Sequence, residues 1–174
     1  MNEFVKMLIT RRSVRGYKPD EMPAKELLDE VLEAGMYAPT GMGMQSPRIV
    51  AVTDKATRDR LSRLNAAVLG THSDPFYGAP VVLVVLADRS RPTYLYDGSL
   101  VMGNLMNAAH AVGLGSCWIH RAKEVFDSPE GKELLRSWGI EGNYEGIGHC
   151  VLGYPAAPLP AAKPRKANYV TWVE

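Results

Sequence analysis

Arg11-Arg12-Ser13-Val14-Arg15 crowds three guanidinium groups and a hydroxyl into five positions near the N-terminus. Guanidinium groups grip phosphate oxygens in planar, bidentate fashion, and a serine hydroxyl adds a further donor. If the chain is extended here, Arg11, Ser13 and Arg15 point to one side. The competing account is that arginines at the end of a helix merely complement its dipole. A second basic cluster, Lys163-Pro164-Arg165, follows a stretch rich in proline and alanine, and in extended geometry Lys163 and Arg165 share a face. A solvated basic linker would read the same way. Two such clusters could converge on one phosphate, but only the tertiary structure can bring them together.

Between them lie two segments suited to a flat ligand. Ala38-Pro39-Thr40-Gly41-Met42-Gly43-Met44-Gln45 offers glycines, a hydroxyl and an amide, so its backbone could approach a ring system closely. It could also be a plain connection, although Met42 and Met44 favour a buried or interfacial one. Gly113-Leu114-Gly115-Ser116-Cys117-Trp118-Ile119-His120-Arg121 reads as a strand edge able to present backbone N–H groups.

Several familiar chemistries are absent. There is no G-x-x-x-x-G-K-[ST] phosphate loop, G-x-G-x-x-G fingerprint, H-E-x-x-H helix or G-x-S-x-G elbow. His72, His110, His120 and His149 show no ligand spacing, so no metal is expected. Cys117 and Cys150 form neither a C-x-x-C pair nor a disulfide framework, which makes a reducing cytoplasm the default compartment.

The elements that must position these groups follow from periodicity. Apolar residues at Phe4, Val5, Leu8 and Ile9 predict a helix from Asn2 to about Arg12. Leu27, Leu28, Val31 and Leu32 predict a second one from Pro23, ended by Ala38-Pro39. Arg48–Thr53 reads as a strand, and Asp54 to about Ala66 as a helix with an N-capping aspartate. An irregular loop is expected over 67–79. Val81–Ala87 is apolar throughout, the mark of a strand buried on both faces. A long helix over Thr93–Val112 carries small and apolar residues all around its axis, which points to a subunit interface or to the core of a monomer. A short strand at Gly115–His120, a helix at Pro129–Trp138 and a strand at Glu145–Gly153 follow. Asn168–Val173 is again strand-like. Irregular alternation of strands and helices describes a layered α+β domain rather than a doubly wound one.

The chain has 174 residues, 46% hydrophobic and 22% charged, which suits a single globular domain over 1–174. Lysine and arginine exceed aspartate and glutamate by only one charge, so no global field argues for nucleic acid or an anionic membrane. No apolar run approaches the ~18 residues of a membrane span, and no signal peptide is expected.

Taken in order, R-R-S-x-R, A-P-[ST], G-L-G-S-C-W-I and a C-terminal K-x-R resemble the FMN-dependent nitroreductase family along essentially the whole chain. The resemblance implies a mixed sheet between helices and a homodimer with two FMN sites at the subunit interface. It also implies a C-terminal strand exchanged with the partner. Arg11, Arg12 and Ser13 would hold the phosphate and ribityl chain together with Lys163 and Arg165, and Arg15 would face the pyrimidine edge. Pro39, Thr40 and Gly41 would come from the partner subunit and lie against the ring, and Gln45 would also contact the cofactor. Trp118, Ile119, His120 and Arg121 would reach the flavin through their backbone, with His120 a candidate proton donor or else a hydrogen-bonded structural histidine. The implied activity is a ping-pong exchange in which NAD(P)H and a nitroaromatic, quinone-like or related small-molecule acceptor take turns over one flavin. Gly43, Ser46 and Pro47 depart from the family loop, where asparagine and Gln-Pro-Trp are frequent, and Asp74 is a doubtful flavin contact. A flavin-modifying relative of the same fold, or a non-enzymatic domain binding another phosphate, remain the alternative readings.

Overall fold

The computed structural model describes residues 1–174. An all-apolar strand has no face to offer water, and β2 (Val81–Asp88) accordingly lies inside a four-stranded sheet covered on both sides. Its partners are β1 (Pro47–Val52), β3 (Gly115–Ile119) and β4 (Tyr144–Gly153), in the order β1-β2-β4-β3. Strand periodicity divides the core in two. Val82, Val84 and Leu86 pack with Leu61, Phe76, Val125, Phe126 and Leu134 on one face. Val81, Leu83, Val85 and Ala87 pack with Leu28, Val31, Val101, Met102 and Leu105 on the other.

The first of these layers comes from α3 (Lys55–Leu69), α5 (Ala122–Asp127) and α6 (Pro129–Ser137), the second from α2 (Lys25–Met36) and α4 (Tyr94–Ala111). Asp54 caps α3 as expected, its carboxylate accepting from Thr57 N at 2.8 Å. The remaining helix, α1 (Glu3–Thr10), buries none of its residues within the chain. Phe4, Val5, Leu8 and Ile9 are all exposed on it. No helix is long and apolar enough to cross a membrane.

Three sequence expectations need correction. All strand pairs are antiparallel, and the parallel component of the expected mixed sheet is one isolated bridge between Ser13 and Ser116. The helix α5 was not anticipated, because its six residues are too few to show a helical period. Asn168–Val173 carries no strand; the segment is irregular, with Tyr169, Val170, Trp172 and Val173 exposed. Its alternation is real, but a strand needs a partner to satisfy its backbone, and none reaches it within one chain.

Candidate functional site

The arginine segment leaves α1 and runs extended along the edge of β3. Val14 N donates to Ser116 O at 2.9 Å, and Tyr17 pairs with Pro155 on the far side. Val14 and Tyr17 are buried, which turns the alternate residues outward. Arg11, Ser13 and Arg15 gather around Cys117. Burial pushes that thiol up, while Arg15, Ser13 and Arg11 pull it down. Gly115 is obligatory here because a Cβ would collide with Val14.

The arginines divide by role. Arg12 does what a helix-end arginine does, its Nη1 donating to Ile9 O at 2.8 Å and Arg11 O at 2.7 Å. Arg11 has no such outlet, and its Nη1 is buried without a partner; so is Arg12 Nε. None of Arg11, Arg12 and Arg15 enters an ion pair, although eleven ion-pair contacts form elsewhere in the chain. Burial, Arg11 and Arg12 together hold His110 of α4 below its ordinary pKa, and its Nε2 meets Thr10 Oγ1 at 3.0 Å.

β3 then delivers Trp118 and Ile119 to a turn at His120 and Arg121. Ile119 is buried in the core, and the Trp118 ring lies over Gly148, where any Cβ would strike the indole. Both side chains are packed, although Trp118 Nε1 is left buried without a partner, and the turn itself offers backbone to a ligand. His120 is exposed, and its ring joins no hydrogen bond, so it is not the hydrogen-bonded structural histidine that the sequence allowed. That role belongs to His149, wholly buried, where loss of solvent drives its pKa down to about 3.

The loop after α2 is held by a residue the sequence reading missed. Asp97, near the start of α4, accepts from Gly41 N at 2.9 Å, Ser46 Oγ at 2.6 Å and Thr93 Oγ1 at 3.1 Å. Burial raises its pKa, but bonds from Ser46, Gly41 and Thr93 outweigh that and hold it below the usual carboxylate value. The one carboxylate in an otherwise uncharged helix was the signal available. Ser46 owes its place in the loop to this bond. Thr40 Oγ1 accepts from Gln45 N at 3.1 Å, and a Cβ at Gly41 would run into Thr93. Pro39 leads into this turn. Met42 is exposed rather than buried, and it and Gln45 adopt φ of 53° and 48°.

Asp74 is equally committed. Its carboxylate takes bonds from Arg58, from Ser62 Oγ at 2.6 Å, and from the Phe76 and Gly78 amides at 2.9 and 2.8 Å. It shapes its own loop and has no capacity left for a ring.

The structure thus unites Arg11, Ser13 and Arg15 with the start of β3. It does not bring Lys163 and Arg165 to them; both lie exposed in the irregular tail. Nor does it bring the Pro39–Gln45 loop there. Asp97 anchors that loop near the beginning of α4, and His110 marks the arginines near its end. At 1.5 Å per residue the two points stand about 20 Å apart along the helix axis.

Comparison with known proteins gives this arrangement its family. A sequence model described as the nitroreductase family matches residues 8–71 and 66–154. The chain belongs to the nitroreductase family. A Bacteroides fragilis nitroreductase with bound FMN is 31% identical, superimposes with a TM-score of 0.90, and is covered completely, as is this chain. A Desulfitobacterium hafniense nitroreductase, also with bound FMN, is 27% identical with a TM-score of 0.89 over the full length of both chains. A Bacillus subtilis FMN reductase [NAD(P)H] is 28% identical, the match covering 95% of this chain and 70% of that one. In this nitroreductase-family chain the Ser46–Asp97 tie holds the loop after α2, and the closed network at Asp74 holds the loop after α3.

Proposed function

We propose that this protein is an FMN-dependent oxidoreductase that passes electrons from NAD(P)H to nitroaromatic, quinone-like or related acceptors. The observation that carries the reading is the buried, partnerless Nη1 of Arg11 beside Ser13 and Arg15. A guanidinium N–H buried without an acceptor is costly, and the site fits an anion such as a flavin phosphate. Arg11 and Ser13 would take the phosphate oxygens, with Arg12 Nε adding a donor at its base. Arg15 would place a positive charge by the pyrimidine edge. The backbone of Trp118 to Arg121 would line the other side of the ring.

Bound FMN would supply two-electron transfer between a nicotinamide and an acceptor that occupy one place in turn. The chain's own contribution is to bind, orient and set charge around that place. This chemistry needs no side chain as a dedicated acid or base; His120, exposed at the turn, is the candidate proton donor.

A homodimer completes the site. The loop holding Pro39, Thr40, Gly41 and Gln45 is about 20 Å from its own arginines along α4, so it would serve the flavin of a second copy. The exposed apolar face of α1 gives the two copies a surface to bury. The tail beyond Tyr154 would cross to the partner, where Asn168–Val173 gains an open edge on β1 and carries Lys163 and Arg165 with it.

The test is direct. Purified protein should bind FMN stoichiometrically, oxidise NAD(P)H only slowly alone, and do so rapidly and anaerobically when a quinone or nitroaromatic is added. Light scattering should give about twice the 19.1 kDa of one chain. Protein that retains no flavin on titration would end this reading.

A further inference from the structure

Asn65 sits in the middle of α3, wholly buried, on the face that also carries Leu61. Its amide is directed at one turn. Nδ2 donates to His120 O at 2.7 Å, and Oδ1 accepts from Arg121 Nε at 3.0 Å. A carbonyl can only accept and a guanidinium only donate, so these two bonds determine the amide's orientation. The same Nδ2 lies 3.4 Å from Nδ1 of His149. That ring is itself buried and flanked by Phe76 and Phe126, with centroids at 5.2 and 5.9 Å.

The turn that Asn65 holds is one the backbone would not choose. Arg121 has φ of 73°, a left-handed conformation that residues with a Cβ rarely adopt. The N–H groups of His120 and Arg121 donate to no backbone carbonyl. They are free, and their placement depends on a clamp that reaches them from behind. Donors stabilise growing negative charge best when they need not reorganise to meet it.

We infer that Asn65 is a positioning residue for the redox site. It locks the His120–Arg121 turn so that its free N–H groups meet the flavin edge in fixed register, and so tunes the reduction of the ring. The inference rests on the flavin reading above. Asn65 touches no ligand itself and acts only through the turn.

The test is Asn65→Leu, close in size and unable to bond. The variant should fold and bind FMN within a few-fold of wild type, because the phosphate contacts lie elsewhere. In the flavin-free protein, amide exchange across residues 119–123 should accelerate at least tenfold. The ratio of reduced to oxidised flavin affinity should change about tenfold, read as a midpoint shift of about 30 mV. Adding Arg121→Gly should return both readings toward wild type, since glycine adopts this conformation unaided. If Asn65→Leu does not fold, Asn65→Asp keeps the Arg121 bond, loses the donor to His120 and should give the same two changes. Unchanged exchange and midpoint in a folded variant would overturn the inference, as would no recovery with Arg121→Gly. If neither substitution folds, Asn65 is a core residue and the inference fails. Wild-type protein that binds no FMN would bring down the flavin reading and this inference together; normal flavin binding with an indifferent Asn65 would bring down the inference alone.

Discussion

Replacing Arg11 with methionine should move two measurements in opposite directions. In the flavin-free chain its Nη1 is a buried donor with no partner, a situation that costs about 1–3 kcal/mol. Methionine keeps much of the aliphatic stem and removes the donor, so the apo protein should be unchanged or more stable by up to about 1 kcal/mol. For a chain of this size that is a rise of roughly 2–4 °C in Tm. FMN should suffer the reverse. A hydrogen bond to a charged group contributes about 1.5–3 kcal/mol, so Kd should rise roughly 10- to 150-fold. Riboflavin lacks the phosphate and should lose less than about twofold by the same reasoning. Calorimetry of the apo protein and fluorescence titration with both flavins would measure all three quantities. A Tm that falls by several degrees, with equal losses for the two flavins, would show that Arg11 is a structural residue and refute the phosphate assignment.

Arg15→Leu should leave FMN bound but lower its midpoint by roughly 40–80 mV. A unit charge pair at about 4 Å and an effective dielectric of about 20 gives an upper bound of roughly 4 kcal/mol, at about 30 mV per 1.4 kcal/mol; an unchanged spectroelectrochemical midpoint would remove Arg15 from the site. Asp97→Asn should destabilise the protein by about 1–3 kcal/mol and open the 40–46 loop to proteolysis, because an amide cannot accept all three bonds. The Asp97 carboxyl titrates below its ordinary value when folded, so its contribution is complete above about pH 4 and is lost as pH falls through the lower folded value; Asp97→Asn should therefore flatten the acid limb of a urea stability profile. His149 works over a different window: its folded pKa of about 3 lies under the ordinary 6.5, so the unfolded chain takes up a proton first. Stability should fall by about 1.4 kcal/mol per pH unit on acidification through that interval, a slope that His149→Phe should remove. Truncation after Lys163 should cost both association, read by light scattering, and FMN affinity, since it removes Arg165 together with the segment proposed to cross to the partner.

What could be read from the sequence was whatever local patterning controls. The uninterrupted run Val81–Ala87 announced a strand covered on both faces, and its alternate residues do face separate cores. Asp54 announced its helix by capping chemistry, and the density of guanidinium groups at Arg11–Arg15 marked out the segment on which the proposed phosphate site rests. Those signals are local because helix periods, caps and charge density are set by residues within a few positions of one another. The four separated motifs, taken in order, also sufficed to indicate the family.

The tertiary structure decided the rest. Only folding puts Asp97 against Gly41 and Ser46, more than fifty positions away, or sets Asn65 behind His120 and Arg121. Only folding separates the arginines by role, giving Arg12 to the end of α1 and leaving Arg11 without a partner. The tail shows the limit most plainly. Its alternation was legible in Asn168–Val173, yet the chain alone leaves it irregular, because a strand exists only where another backbone accepts its hydrogen bonds. Composition and spacing determine which segments seek partners; which partners they find depends on long-range contacts that no local pattern encodes.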